Sequence, residues 1–83
     1  MFIYILRSLK TNAEYVGMSS DPERRLKEHN AGEIKSTKAK RPWAKVWEEE
    51  CENRVEARKR EKYLKSAAGR RFRKSLRTIS SAG

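Results

Sequence analysis

The sequence predicts a single small α/β domain in which a three-stranded antiparallel sheet is flanked by helices. Three observations lead to this fold class. Two short runs of strand-forming residues lie close enough to make a hairpin, a third run follows at residues 43–50, and segments with helix-capping residues surround it. The length of 83 residues fits one domain, which we place at residues 1–78, with a flexible end at 79–83.

The first two strands are predicted at residues 2–6 and 15–18, on either side of a polar turn. A turn centred between residues 11 and 12 pairs residues whose numbers sum to 23. Because opposed residues share a face, this odd sum puts four residues on the same face: Tyr4, Leu6, Tyr15 and Gly17. We expect a shallow pocket here, with two phenolic hydroxyls beside a glycine gap. An ordinary aromatic core face is the alternative.

The first helix is predicted over residues 22–31, because a capping aspartate and a proline precede it and a glycine follows it. Leu26 is its one large apolar residue. Arg25 and His29, the only histidine of the chain, lie one turn apart on the same face. Packing alone does not explain why these two side chains point in the same direction.

The third strand is predicted at residues 43–50, after a polar, basic loop. Simple alternation places Trp43 and Trp47 on one face and Val46 on the other. The low hydrophobic content, 36%, indicates a small core to which aromatic residues contribute much. These residues are Phe2, Tyr4, Tyr15, Trp43, Trp47, Tyr63 and Phe72.

The second helix is predicted from a cap at Asn53 to about Ser66, and a last, basic helix over residues 70–78 follows a joint at 67–69. Four residues of this region recur at helical spacing and form the expected inward stripe: Ala57, Glu61, Leu64 and Ala68. A carboxylate within such a stripe needs a cation or a metal ion. A salt bridge to a neighbouring arginine such as Arg25, or a rotated helix that leaves Glu61 in water, is the structural alternative.

The net charge of +10 is concentrated at the C-terminal end. Residues 61–83 carry seven Lys/Arg against one acidic residue, whereas residues 1–60 carry 14 against ten. Such an end favours a phosphate backbone as partner and is less typical of a membrane-binding segment, since it lacks a strong apolar face. The single cysteine, Cys51, excludes an internal disulfide and a cysteine-based metal site, and fits a cytoplasmic protein.

Five elements of the sequence, taken in order, resemble the GIY-YIG nuclease family. Phe2-Ile3-Tyr4 and, after ten residues, Tyr15-Val16-Gly17 are similar to the paired motif of that family. The family then carries an arginine and, one turn later, a histidine on its first helix, and a metal-binding glutamate on a later helix. The matching residues are Arg25, His29 and Glu61. The resemblance covers roughly residues 2–66 and is closest to the small, single-domain bacterial branch.

This resemblance implies a metal-dependent DNA endonuclease that hydrolyses phosphodiester bonds, with selectivity for the structure of its substrate. Its catalytic residues would be Tyr4, Tyr15, Arg25, His29 and Glu61. Glu61 would hold one divalent ion, Mg²⁺ or Mn²⁺, and Arg25 would bind the scissile phosphate. Either tyrosine would position the attacking water, while Tyr4 and His29 both remain candidates for the general base. A tyrosine base requires a lowered pKa, which Arg25 and the metal would favour.

Lysines of the basic loop and cations of the C-terminal end are expected to contact neighbouring phosphates. These residues are Lys35, Lys38, Arg70, Arg71, Arg73, Lys74 and Arg77. DNA is the expected partner and RNA the alternative, whereas a membrane is not expected. Without a separate DNA-reading domain, specificity would come from substrate shape, a partner protein or a homodimer. Two other functions stay open: a nucleic-acid-binding module of the same fold with weak or no cleavage, and a structural RNA-associated protein.

Overall fold

The computed structural model describes the backbone of residues 1–82 and the side chains of residues 1–76. It confirms the predicted fold class, a three-stranded antiparallel sheet flanked by helices. The domain boundary at residue 78 stays a prediction, and the predicted flexible end, 79–83, lies outside the residues whose side chains are described. In chain order the elements are β1 (Phe2–Ser8), β2 (Glu14–Ser19), α1 (Pro22–Ala31), a 3-10 turn (Lys38–Lys40), β3 (Trp43–Glu50), α2 (Arg54–Leu64) and α3 (Ala67–Ala82).

Strand β1 lies in the middle of the sheet, between β2 and β3, and is antiparallel to both. Tyr4 lies opposite Gly17 and Leu6 opposite Tyr15, so the numbers of paired residues sum to 21 rather than the predicted 23. The turn is centred earlier because the buried Ser8 hydroxyl accepts hydrogen bonds from the backbone N–H groups of residues 10 and 11. Since 21 is also odd, the predicted face of the two tyrosines is confirmed.

A β-bulge in β3 makes the prediction for the two tryptophans wrong. Ile5 of β1 pairs with Trp47, but the next residue, Leu6, pairs with Lys45, so that Val46 has no partner in the ladder. An extra residue of this kind reverses the alternation of faces along the strand. Trp43 therefore packs on the same face as Leu6, whereas Trp47 packs on the opposite face, as Val46 does.

The two faces of the sheet carry different cores. On one face, α2 and α3 cover an aliphatic cluster formed mainly by Ile3, Ile5, Val16, Ala57, Leu64 and Leu76. On the other face, α1 lies over a smaller cluster in which Tyr4, Leu6 and Trp43 are buried and Tyr15 and Leu26 are partly buried. Residues of β1 point to the two clusters alternately, because successive side chains of a strand leave opposite faces.

Helix α1 has the caps that the sequence predicts. The Asp21 side chain accepts a hydrogen bond from the backbone N–H of Arg24, and Gly32 ends the helix with φ of 81°. The last turn is also attached to β3, because the Asn30 side chain donates to the Trp43 carbonyl at 3.0 Å and accepts from the Trp43 N–H at 2.6 Å. This double hydrogen bond fixes the C-terminal end of α1 next to the loop that follows it.

The junction of α2 and α3 lies earlier than predicted. Helix α2 ends at Leu64, and α3 begins at Ala67, where the Ser66 hydroxyl accepts a hydrogen bond from the Gly69 N–H at 3.4 Å. Gly69 is therefore not a joint but a contact point, since a side chain there would overlap the backbone of Leu64. Of the expected inward stripe, Ala57 and Leu64 are buried, whereas Ala68 belongs to α3 and is exposed.

Tyr63 is not part of the core, although the sequence analysis placed it there. Its side chain is exposed on α2, with the Arg60 guanidinium over the ring at 5.1 Å. The other six aromatic residues are buried or partly buried. Among the described helices, none is long and apolar enough to cross a membrane.

Candidate active site

The site is organised by the pairing of Tyr4 with Gly17 across the first two strands. A β-carbon added to Gly17 would lie 2.6 Å from both the hydroxyl oxygen and Cζ of Tyr4, and 2.9 Å from Cε2 of Tyr15. Such distances are too short for non-bonded atoms, so only glycine lets the Tyr4 ring lie across β2. The glycine gap expected from the sequence is thus filled by Tyr4 itself, and the hydroxyl of Tyr4 extends towards α1.

A buried chain of hydrogen bonds joins β1, α1 and the basic loop. The Tyr4 hydroxyl lies 3.2 Å from Nε2 of His29, and Nδ1 of His29 lies 2.7 Å from the Thr37 hydroxyl oxygen. The Thr37 hydroxyl in turn donates to the Ile34 carbonyl at 3.3 Å. A carbonyl can only accept, so we assign the remaining protons in sequence: His29 Nδ1–H donates to Thr37, and the Tyr4 hydroxyl donates to Nε2.

This assignment makes His29 a neutral imidazole with its free lone pair towards Tyr4. Burial lowers the pKa of His29, and the positive charge of Arg25 lowers it further, against the opposing effect of Glu28. His29, Tyr4 and Thr37 are all almost completely inaccessible to solvent. A histidine held in this way can accept a proton at neutral pH.

The pKa of Tyr4 does not follow the expectation of a lowered value. Burial raises the pKa of the Tyr4 hydroxyl above its ordinary value, because the phenolate would be desolvated, and the interaction with Arg25 lowers it by less. Tyr4 is therefore a protonated hydroxyl in this structure. Between the two candidate bases left open by the sequence, the group ready to accept a proton is His29.

Arg25 lies at the entrance to this buried chain. Interaction with the Tyr4 oxygen raises the pKa of Arg25 further, so the guanidinium is always charged. Its Nη1 also forms an ion pair with Glu28 at 2.8 Å, and about a third of the side chain, 36%, is exposed. Tyr15 is partly exposed on the same face of the sheet as Tyr4, and its ring centroid lies 4.8 Å from that of His29. Tyr4, Tyr15, Arg25 and His29 are thus brought together as predicted.

Glu61 lies on helix α2, whose buried side chains pack on the opposite face of the sheet. Its side chain is 23% exposed and forms an ion pair with Lys65 at 3.6 Å. The alternative of a salt bridge to an arginine such as Arg25 is therefore not observed, because Arg25 pairs with Glu28, and the alternative of a residue in water holds only in part. In the part of the chain that the structure describes, Glu61 makes no hydrogen bond or ion pair to the Tyr4–His29 chain.

The donor set around Glu61 fits only one type of metal site. Among the described residues, no group of three or more His, Cys, Asp or Glu side chains could enclose an ion. Mg²⁺ commonly retains several waters and is bound through one or two carboxylates together with substrate phosphates. A single carboxylate such as Glu61 fits this open type of binding and does not fit a closed protein cage.

The basic loop forms a cationic cavity beside the site. An open cavity of about 530 Å³ is lined by Lys10 from the β1–β2 turn and by four loop residues, Lys35, Lys38, Ala39 and Arg41. None of its four cations forms an ion pair with a carboxylate of the described chain. The two lysines predicted to contact phosphates therefore share a cavity with Lys10 and Arg41, which the sequence analysis did not select.

The cations of the C-terminal end are not equivalent. Arg70, Arg71 and Lys74 are exposed on α3, whereas the Arg73 side chain is only 15% exposed and forms an ion pair with Glu14 at 3.5 Å. The side chain of Arg77, predicted to contact phosphate, lies outside the described residues. Only three of the five cations are thus seen on the exposed surface of α3.

Sequence reasoning missed Thr37, which is buried and holds His29 in its tautomer. No local signal separates it from its exposed neighbour Ser36, because both are small hydroxyl residues in a polar loop. The Trp43 indole, whose N–H donates to the Thr37 carbonyl at 3.0 Å, also secures this residue. A predicted contact between the loop and His29 would have been needed to find it.

Thr37→Val keeps the shape of the side chain and removes the acceptor that His29 Nδ1–H has among the described residues. An unpaired buried donor costs about 1–3 kcal/mol, so we expect the free energy of unfolding to fall by that amount. We also expect nitrogen NMR shifts of His29 to show a mixture of tautomers instead of one. Ser36→Ala removes a neighbouring exposed hydroxyl and serves as the control. An unchanged His29 spectrum in Thr37→Val would contradict the assigned hydrogen-bond chain.

The lowered pKa of His29 makes stability depend on pH. Below its ordinary value of 6.5 the unfolded chain binds a proton at this histidine that the folded chain excludes. The free energy of unfolding should therefore fall as the pH is lowered from 6.5 towards the pKa of His29 in the folded protein. Above pH 6.5 this loss of stability should be absent. Because the chain has one histidine, His29→Gln should flatten this slope. Urea unfolding at about pH 7.5 and about pH 5.5 tests this, and an equal slope in both proteins would refute it.

Comparison with known proteins agrees with this geometry. A family model described as the GIY-YIG catalytic domain matches residues 1–75. UPF0213 protein SH2523 of Staphylococcus haemolyticus is 36% identical over 66 residues, covering 78% of this chain and 79% of that protein. UPF0213 protein SSP2268 of Staphylococcus saprophyticus is 36% identical over 80 residues, covering 95% and 93%. No solved structure gives a significant match. With its paired tyrosine motif on two adjacent strands and its arginine and histidine on the following helix, this chain belongs to the GIY-YIG family, a nuclease superfamily.

Proposed function

We propose that the protein is a metal-dependent DNA endonuclease that hydrolyses phosphodiester bonds and selects its substrate by structure. The buried chain from Tyr4 through His29 to Thr37, with Arg25 beside Tyr4, is the observation that carries this proposal. Binding to phosphate alone requires only exposed cations. A neutral histidine held in one tautomer against a tyrosine hydroxyl is instead the kind of group that moves a proton.

In the proposal, Arg25 binds the scissile phosphate. A planar guanidinium can donate two parallel hydrogen bonds to phosphate oxygens, and it stabilises the negative charge that increases in the transition state. Arg25 is partly exposed, and its present partners are Glu28 and the Tyr4 oxygen. When a phosphate takes the place of these partners, the guanidinium moves away from Tyr4 and the phenol hydroxyl becomes accessible.

The proton of the attacking water then follows the buried chain. The Tyr4 oxygen accepts a proton from the water while its own proton passes to Nε2 of His29, which is 3.2 Å away. Thr37 stabilises the resulting imidazolium, because it accepts a hydrogen bond from Nδ1–H. Tyr15, partly exposed on the same face, positions the water. This route needs no phenolate before the reaction, in agreement with the raised pKa of Tyr4.

Glu61 would hold the divalent ion, Mg²⁺ or Mn²⁺, in the open manner described above. When bound, the ion would neutralise phosphate charge and stabilise the leaving oxygen. The Glu61 carboxylate would exchange its present partner, Lys65, for this ion. Nucleases of the GIY-YIG family generally depend on a divalent metal, which supports this part of the proposal.

The proposal also covers the nucleic-acid partner and the location of the protein in the cell. The cationic cavity at Lys35 and Lys38, and the exposed cations of α3, would bind neighbouring phosphates without reading bases. Recognition of this kind depends on the shape of the backbone, so branched or flapped DNA is the substrate class we propose. A homodimer or a partner protein that adds specificity stays a prediction. A cytoplasmic location is proposed from the single, unpaired Cys51.

Tyr4→Phe tests the proposal directly, because it removes one hydroxyl and keeps the ring. We expect the single-turnover cleavage rate of flapped or branched DNA, with Mg²⁺ or Mn²⁺, to fall by roughly 10²–10⁴-fold while DNA affinity stays unchanged. Tyr63→Phe removes an exposed hydroxyl of α2 and is the matched control. If the wild-type protein binds these DNAs but cuts none of them, the chain is a binding module and the endonuclease proposal fails.

The metal assignment has its own test at Glu61. We expect Glu61→Ala to lose cleavage and keep DNA binding, because affinity rests on the lysines and arginines. The Glu56→Ala variant, which lacks an exposed carboxylate of α2, should cleave DNA normally. Cleavage by the wild-type protein that persists in excess EDTA would exclude a metal requirement. An equal loss of cleavage in Glu61→Ala and Glu56→Ala would contradict a specific role of Glu61 and would indicate an effect of the charge on α2.

A further inference from the structure

A second cavity opens at the junction of α2 and α3, on the sheet face opposite Tyr4. Its volume is about 530 Å³, and it is lined by Glu14, Lys65, Ser66, Ala67, Arg70 and Arg73. Three of these six residues are cations and one is acidic. The cavity is separate from the lysine-rich cavity of the basic loop, with which it shares no residue.

Two arginines with unused donors approach Glu14, one of the residues that line this cavity. Arg7 is opposite Glu14 in the sheet, and its Nη2 lies 3.8 Å from the Glu14 carboxylate, too far for a hydrogen bond. Arg73 approaches the same carboxylate at 3.5 Å from the other side. The Arg7 side chain is only 9% exposed. Nε and Nη2 of Arg7, and Nε of Arg73, are buried without a hydrogen-bond partner in the described part of the chain.

Unpaired buried donors of this kind are rare in native proteins, because the lost hydrogen bonds with water are not replaced. At these distances Glu14 leaves donors of both guanidinium groups unpaired. A bound anion with several acceptor oxygens would satisfy the remaining N–H groups and would balance the second positive charge.

The start of α3 adds donors at the same place. Ser66 and Ala67 line the cavity, and α3 begins at Ala67 and is 16 residues long. The first N–H groups of a helix have no acceptor within the helix, and the helix dipole favours an anion at this end. Only the Gly69 N–H is seen to be capped, by the Ser66 hydroxyl.

We propose that this cavity binds a phosphate group. Lys65, Arg70 and Arg73 line the cavity with three positive charges, against one negative charge on Glu14. The surplus of two matches a phosphate, whose oxygens are geometrically suited to guanidinium and helix N–H donors. The phosphate comes either from a nucleic-acid backbone or from a small phosphate compound. The lining of this cavity includes none of the proposed catalytic residues, so the bound phosphate would differ from the one that reacts in the proposed nuclease.

Amide NMR with inorganic phosphate, at constant ionic strength, tests the site without any cleavage assay. We expect saturable shifts of the backbone N–H signals of residues 67 and 68. Arg70→Gln should weaken phosphate binding roughly tenfold, since it removes a charged donor. Arg58→Gln makes the same charge change at an exposed arginine of α2 outside the cavity and should leave affinity unchanged. Shifts that do not saturate, or equal weakening in both variants, would overturn the site.

A short DNA duplex added to the phosphate-bound protein identifies the source. Displacement of inorganic phosphate by the duplex, reported by the same N–H signals, supports a site for nucleic-acid backbone. Binding of both at once supports a site for a small phosphate compound. The phosphate titration does not depend on DNA cleavage, and the Tyr4→Phe experiment does not depend on this cavity. A negative titration would therefore overturn the phosphate site alone, and a negative cleavage result would overturn the nuclease proposal alone.

Discussion

The absence of a side chain at Gly17 is the constraint on which the site depends. Tyr4 lies in the central strand, where an ordinary neighbour on β2 would push its ring aside. With glycine opposite, the phenol crosses β2 and places its hydroxyl against His29, which in turn reaches Thr37. Two strands, a helix and a loop are connected through this one permitted contact. Larger residues at position 17 would therefore disturb the hydrogen bonds of Tyr4 and His29 before they disturb the aliphatic core on the other face.

The two faces of the sheet carry different kinds of side chain. In the described part of the chain, the aliphatic cluster beneath α2 and α3 consists of apolar side chains with the partly buried Cys51 packed against it, and the Arg7–Glu14–Arg73 arrangement lies on the same face. On the opposite face, Tyr4 and Tyr15 lie beneath α1, which carries Arg25 and His29. Burial on this second face sets the proton affinities, since it lowers the pKa of His29 and raises that of Tyr4.

The elements that local chemistry determines could be predicted from the sequence. Strand alternation placed Tyr4 and Tyr15 on one face, and capping residues located α1. The β-bulge at Val46 and the close approach at Gly69 depend on contacts between distant segments, so the faces of the tryptophans and the start of α3 were predicted incorrectly. Thr37 was missed for the same reason. The pKa of Tyr4 depends on a burial that residue types do not reveal.

The alternation along β1 also restricts how such a chain can change over evolutionary time. Within six residues, Ile3, Ile5 and Arg7 serve the packed face, while Tyr4, Leu6 and Ser8 serve the site and the adjoining turn. Inserting or deleting a single codon here would exchange the two sets, and both foldability and reactivity would be lost in one step. Insertions and deletions among descendants of this gene should therefore occur in the turn before β2 and be absent from β1. Substitutions that preserve the alternation of faces should be tolerated.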